Sequence, residues 1–241
     1  MHSDSSQDNV VHHPETGLRL FLDSADPADW RRFLPLGFFH GVTTNPLLLE
    51  RAGQPCTVAN LQELAGMARD LGVREIQMQT WGRDPAQMVE TGEKLAELAE
   101  PDLRLVVKIP ATAEGFQVAR TLLGKGCSVT LTAVYTPGQV MAAAGLGASY
   151  AAPYLGRLDD AGQDGAAVVL TMHHILSGAG SRTRLLTASL RTVEQVVDLA
   201  AKGLDTFTFG PGVADQLLGS DLTAAAAIDF QRAAEAMGEE S

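Results

Sequence analysis

The chain has 241 residues, 45% of them hydrophobic, and a formal net charge of −11. That is enough chain for one well-buried core, and α/β barrels commonly run to this size. The acidic balance and the lack of any basic cluster argue against a nucleic-acid partner, since such binding rests on neutralising phosphates.

No stretch approaches the ~20 apolar residues of a membrane span, so no membrane partner is expected. Residues 1–17 are polar and lack the apolar core of a signal peptide, so they read as a loose tail. Residues 18–241 read as a single barrel domain. Cys56 and Cys127 stand far apart in no metal-like spacing. They read as small buried hydrophobes in a reducing compartment, and a cytoplasmic location is the expectation.

From Leu18 onward, short apolar runs alternate with helical patterns. Leu18–Ser24 reads as the first strand, and Asp26-Pro27 as an N-cap with proline at the first helical position. Gly41–Asn45 and Val73–Gln79 follow as strands, and Asp84-Pro85 opens a helix over Ala86–Glu100. Leu103–Ile109 is the next strand; the helix from Thr112 to Leu123 is closed by Gly124 and Gly126. Ser128–Val134 and Ser149–Tyr154 are strands, with Thr136-Pro137 opening the helix between them. Asp159–Gly165 reads as a flexible loop before a helix at Val168–Leu176. Strands Arg184–Ser189 and Thr206–Phe209 and helices Val193–Ala201, Val213–Leu217 and Ala224–Met237 complete the series. Alternation about eight times predicts an α/β fold, a (β/α)8 TIM barrel with an extra C-terminal helix. A doubly wound sheet would also fit the early alternation. No glycine-rich nucleotide loop follows any strand.

The strand ends carry the chemistry, because barrel active sites lie at the C-terminal ends of the strands. Lys108 stands near the end of a β-branched, apolar run that closes in proline, Leu103-Arg104-Leu105-Val106-Val107-Lys108-Ile109-Pro110. Burial disfavours the charged ammonium and would expose a nucleophilic amine, the kind that forms Schiff bases with carbonyls. The plain alternative is a lysine whose stem packs and whose head reaches water. The other ends present Asp23, Asn45, Gln79, Thr132, Tyr154 with Arg157, and Ser189 with Arg191. So many polar ends argue for a polar pocket assembled around Lys108.

Asp23 could stabilise an iminium or orient a substrate hydroxyl, and Asn45 offers amide hydrogen bonds to a polyol. Tyr154 can act as general acid or base, with Thr132 and Gln79 holding a water. Arg157, Ser189 and Arg191 form a candidate anion clamp. Arg157 has a second reading, an ion pair with Asp159 or Asp160. Trp81 reads as core before pocket wall. His12-His13 fall in the tail and His173-His174 mid-helix; no metal-site spacing occurs, and neither a metal nor a cofactor is expected.

Four segments resemble the transaldolase family, most closely its small subfamily containing fructose-6-phosphate aldolase. They are Leu22-Asp23-Ser24-Ala25, Gly41-Val42-Thr43-Thr44-Asn45-Pro46, Val106 to Gly115, and Ala152 to Asp159. The resemblance covers about Leu18 to Phe230. It implies a cofactor-free class I barrel enzyme with Lys108 as the Schiff-base lysine and Asp23 and Asn45 beside it. It implies Thr44 in the substrate site, and Arg157, Ser189 and Arg191 as the phosphate site. It also suggests a sugar phosphate as the small-molecule substrate and a ring-like homo-oligomer, often ten subunits.

Within the resembled family, transaldolases have glutamate, phenylalanine and serine where this chain has Gln79, Tyr154 and Ala152. The aldolase branch has glutamine, tyrosine and alanine, so all three positions side with it. The expected reaction is therefore cleavage and formation of fructose 6-phosphate, or a related ketose, from dihydroxyacetone and glyceraldehyde 3-phosphate. Gly156 and Arg191 instead follow the transaldolase pattern, Leu190 replaces a usual phenylalanine, and Thr80-Trp81-Gly82 fits neither branch. These bear on the acceptor and its anionic group. The rivals are transaldolase activity, a sulfonated or non-phosphorylated sugar, and a catalytically silent binding barrel.

Overall fold

A computed structural model describes residues 17–238, so nearly all of the tail lies outside the described residues. Parallel strands alternate with helices around a nearly closed barrel, an α/β fold of the TIM-barrel type. Nine strand segments run in the order β7-β6-β5-β4-β3-β2-β1-β9-β8. They are β1 (Arg19–Asp23), β2 (Phe39–Thr43), β3 (Glu75–Gln79), β4 (Arg104–Pro110), β5 (Ser128–Val134), β6 (Tyr150–Pro153), β7 (Arg184–Leu185), β8 (Thr187–Leu190) and β9 (Thr206–Phe209). The run expected as one strand, Arg184–Ser189, is split at Leu186. Its first half pairs with β6 and its second half with β9, so one bent strand joins the two edges of the sheet.

Eleven α-helices are present among the described residues: α1 (Pro27–Phe33), α2 (Pro46–Arg51), α3 (Val58–Asp70), α4 (Pro85–Ala96), α5 (Ala113–Gly124), α6 (Pro137–Leu146), α7 (Leu155–Asp160), α8 (Gly165–Gly178), α9 (Val193–Ala200), α10 (Pro211–Leu218) and α11 (Asp221–Gly238). The expected caps are formed. Asp26, Asp84 and Thr136 accept hydrogen bonds from the first turns of α1, α4 and α6, each with proline at the start. The loop expected at Asp159–Gly165 is shorter than read, because α7 runs to Asp160 and α8 begins at Gly165. No helix among the described residues is long and apolar enough to cross a membrane. Cys56 is exposed and Cys127 half-buried, so neither is the buried hydrophobe expected.

Outward strand residues such as Leu22, Ile76, Val107, Leu131 and Phe209 build the main core between sheet and helices. Inward residues follow the strand period of two. They make a polar floor, a small apolar middle and a polar roof. On the floor, buried Glu75 accepts from Arg104 at 2.9 Å, Tyr150 at 3.0 Å and Gln77 at 2.7 Å. Phe21, Val106, Tyr150, Ala152 and Leu186 form the apolar middle.

Two motif glycines are there because backbone passes too close for a side chain. A Cβ on Gly41 would lie 2.1 Å from the Glu75 carbonyl oxygen, and one on Gly115 would lie 1.9 Å from that of Pro110. Gly115 thereby lets the start of α5 seat directly on the end of β4, two residues beyond Lys108. Gly115→Ala should destabilise the chain by about 3 kcal/mol through this forced shift. An unchanged denaturant midpoint would refute the close approach.

Candidate active site

The strand ends enclose a chamber of about 410 Å³ at the C-terminal mouth of the barrel. Asp23, Asn45, Gln79, Lys108, Thr132, Ala152, Tyr154, Arg157 and Ser189 all line it, as expected from the sequence. A larger recess of about 880 Å³ opens at the other end of the barrel, and includes Arg19, Arg104 and Arg184 in its wall. The donors of Arg104 and Arg184 are already committed, to Glu75, Ser128 and Ser149, and to Thr206 and Asp205. Lys108 lies in the smaller chamber.

Lys108 is 3% exposed. Its Nζ donates to the Thr44 carbonyl at 3.1 Å. Burial pushes its pKa below the ordinary lysine value, and the nearby Asp23 charge partly restores it. An amine held this way is neutral more often than a surface lysine and is aimed into the chamber.

Within the segment Gly41-Val42-Thr43-Thr44-Asn45-Pro46, three residues shape the surroundings of this lysine. Thr43 donates to Asp23 at 2.7 Å and meets Thr208 at 2.5 Å, fixing the carboxylate. Thr44 supplies its carbonyl; its own hydroxyl is buried without a partner and its side chain does not line the chamber. The Asn45 side-chain oxygen accepts from the backbone of Leu47 at 3.0 Å and Leu48 at 3.1 Å, capping α2. That leaves the Asn45 NH2 group as the donor available to a ligand.

Tyr154 follows β6, and its hydroxyl lies 2.9 Å from the Thr132 hydroxyl. Burial raises the phenol pKa, with Thr132 and the Ala133 backbone pulling it back, so the phenol keeps its proton at neutral pH. Tyr135 packs edge-on against it at 5.9 Å. Gln79 sits across the β3–β4 ladder from Lys108. Ala133 and Ser189 adopt positive φ, 54° and 58°, the conformations that side-chain-bearing residues avoid. Both line the chamber, where such strain commonly concentrates.

The expected anion clamp is only partly assembled. Arg157 and Ser189 line the chamber, but Arg191 does not. Arg191 instead forms an ion pair with Asp160 at the end of α7. Of the two carboxylates considered as partners for Arg157, Asp160 pairs with Arg191 and Asp159 accepts from the Gly165 backbone. Gly156 explains the arrangement: a Cβ there would lie 2.8 Å from Arg191 Nε and 2.4 Å from the Ser189 carbonyl oxygen. Arg51, which the sequence reading did not single out, also lines the chamber. Trp81 packs against the main core, as read. His173 faces the opposite recess, and His12-His13 lie outside the described residues. Among the described residues no group of three or more His, Cys, Asp or Glu is placed to hold a metal.

A parallel barrel with a buried lysine at its C-terminal mouth, ringed by a carboxylate, a phenol and amides, suits carbonyl chemistry on small polar molecules. Residues 20–241 match the family model described as Transaldolase/Fructose-6-phosphate aldolase, and the chain belongs to that family. It is 32% identical to a "Probable transaldolase" of Nitrosopumilus maritimus, covering 86% of this chain and 90% of the relative. A "Probable transaldolase" of Dinoroseobacter shibae is 34% identical over 86% of this chain and 91% of its own length. One of Anaeromyxobacter dehalogenans is 32% identical, over 88% and 94%.

Proposed function

We propose that this chain is a class I aldolase that cleaves and forms fructose 6-phosphate or a related ketose. The observation that carries the reading is Lys108, buried yet lining a polar chamber. Its Nζ adds to the ketone carbon of dihydroxyacetone, and the carbonyl oxygen leaves as water to give an iminium. Loss of a proton from the adjacent carbon gives an enamine. That carbon bonds to the aldehyde carbon of glyceraldehyde 3-phosphate while Tyr154 delivers a proton to the aldehyde oxygen. Water then hydrolyses the iminium, restoring the amine and releasing the ketose. Asp23 balances the iminium charge, Asn45 holds a donor hydroxyl, and Thr132 with Gln79 holds the water. Ala152 leaves room for the donor. Arg157 with Ser189 receives the acceptor phosphate.

The second reading is transaldolase activity, moving a three-carbon unit between sugar phosphates. The names of the relatives and the pair Gly156 and Arg191 favour it; Gln79, which cannot act as a carboxylate base, opposes it. Incubation of fructose 6-phosphate with and without erythrose 4-phosphate separates them. Release of glyceraldehyde 3-phosphate without acceptor supports the aldolase. Release only with acceptor overturns it in favour of the transaldolase. Absence of both products points to another tail on the substrate, such as a sulfonate, or to a silent barrel.

A cytoplasmic, ring-like homo-oligomer, such as a decamer, belongs to the same proposal. The oligomer is supported by α11, which has no buried residue and exposes Leu222, Ile228, Phe230 and Met237.

A further inference from the structure

We infer that Asp160 determines specificity for the acceptor's tail: by pairing with Arg191 it reserves that guanidinium for a phosphate dianion. This rests on the aldolase reading, in which Arg157 and Ser189 receive the tail, and adds how one tail is told from another. The Arg157 guanidinium has no hydrogen bond or ion pair among the described residues, and Arg157 lines the chamber. Arg191 is held back by Asp160, yet its head is close by. The point that a Cβ on Gly156 would occupy lies 3.2 Å from Ser189 Oγ and 2.8 Å from Arg191 Nε. Glycine at 156 thus lets the guanidinium of Arg191 lie beside a residue of the chamber wall.

Of the two neighbouring carboxylates, Asp160 is the one that can let go. Asp159 is built into the fold, accepting from the Gly165 backbone at 3.0 Å and from Gln195 at 3.4 Å. The Asp160 side chain bonds to Arg191 alone among the described residues. Both members of that pair are about half exposed, and exposed pairs hold weakly. Asp160 is also the last residue of α7, where a negative charge opposes the helix dipole. A tail gains Arg191 only by displacing this carboxylate. A phosphate monoester carries about 1.5 to 2 negative charges at neutral pH and three acceptor oxygens, enough to engage both guanidiniums. A sulfonate carries one charge, the same as the carboxylate it would replace. It gains little from the exchange and stays with Arg157. An uncharged tail leaves the pair closed.

Condensation of dihydroxyacetone with two aldehydes tests this. One is glyceraldehyde 3-phosphate, and the other is its analogue with a sulfonate in place of the phosphate. The parent should favour the phosphate in kcat/KM by about tenfold, one charge-assisted contact. Asp160→Asn should raise kcat/KM for the sulfonate about tenfold, through KM, and so narrow the ratio. Partial unfolding would lower both values alike and leave the ratio where it was. Arg191→Met should lower the phosphate value about tenfold and the sulfonate value far less. With both substitutions together the sulfonate gain should vanish. That cycle separates a released guanidinium from the mere removal of a negative charge near the mouth. A parental ratio at or below one, or a ratio unmoved in Asp160→Asn, overturns the inference and leaves the aldolase reading standing. A gain that persists beside Arg191→Met does the same. Condensation with neither aldehyde overturns the aldolase reading and the inference with it.

Discussion

Lys108→Ala should abolish the borohydride-trapped adduct and lower turnover by roughly four orders of magnitude. The site offers no substitute amine, because Arg51 and Arg157 carry guanidiniums, which do not form Schiff bases. Asp23, Tyr154 and Asn45 would remain, but with no covalent intermediate for them to act on. Turnover within tenfold of the parent would end the Schiff-base mechanism. The pH dependence of adduct formation tests the same residue. Burial lowers the Lys108 pKa, so the rate should rise with pH through an inflection below the ordinary lysine value. An inflection at or above about 10.4 would contradict the effect of burial.

The same shift has a thermodynamic sign. The unfolded chain binds the lysine proton more tightly than the folded one. The resulting destabilisation is fully present below the folded pKa and fades as pH rises to the unfolded value. Lys108→Met keeps the volume and removes the charge, so it should melt no lower than the parent at neutral pH.

Tyr154→Phe should slow aldol cleavage by roughly 10²- to 10³-fold while leaving the borohydride adduct detectable. The phenol is held 2.9 Å from Thr132 and packs against Tyr135, so its ring position does not depend on the hydroxyl alone. Burial keeps it protonated, which suits a group that delivers a proton to the aldehyde oxygen during synthesis and takes it back during cleavage. Stopped-flow capture of the enamine, compared with steady-state cleavage, separates the two steps. Cleavage at the parental rate would remove Tyr154 from the proton path. Loss of the adduct as well would give it a role in donor capture instead.

The barrel and most of its chamber were legible because their signals are local. A polar residue that ends an apolar parallel strand can lie only at the mouth of the barrel, and Asp23, Gln79, Lys108 and Thr132 do. Pairing between long side chains is a different matter, since sequence order does not say which cation takes a carboxylate. Arg157 was read against Asp159 or Asp160, but Arg191, whose Nε occupies space that a side chain on Gly156 would crowd, takes Asp160. Thr44 was expected in the substrate site, and there its carbonyl accepts from Lys108. Arg51 carried no signal of its own, because a basic residue in the last turn of a helix is ordinary. Its place at the chamber follows from the face of α2 on which it falls. The break at Leu186 was equally hidden, since the seam of a closed sheet is a property of the whole ring.

Asn45 divides its side chain between two tasks. The oxygen holds α2 in place and the nitrogen is left for the ligand. No single replacement preserves both. Aspartate would retain the cap and lose the donor, while alanine would lose the two together at a cost of about 1 kcal/mol. At this position, then, the thermal melting curve and the affinity for substrate are two readouts of one side chain. Comparing aspartate with alanine separates recognition from folding, which a single substitution cannot do.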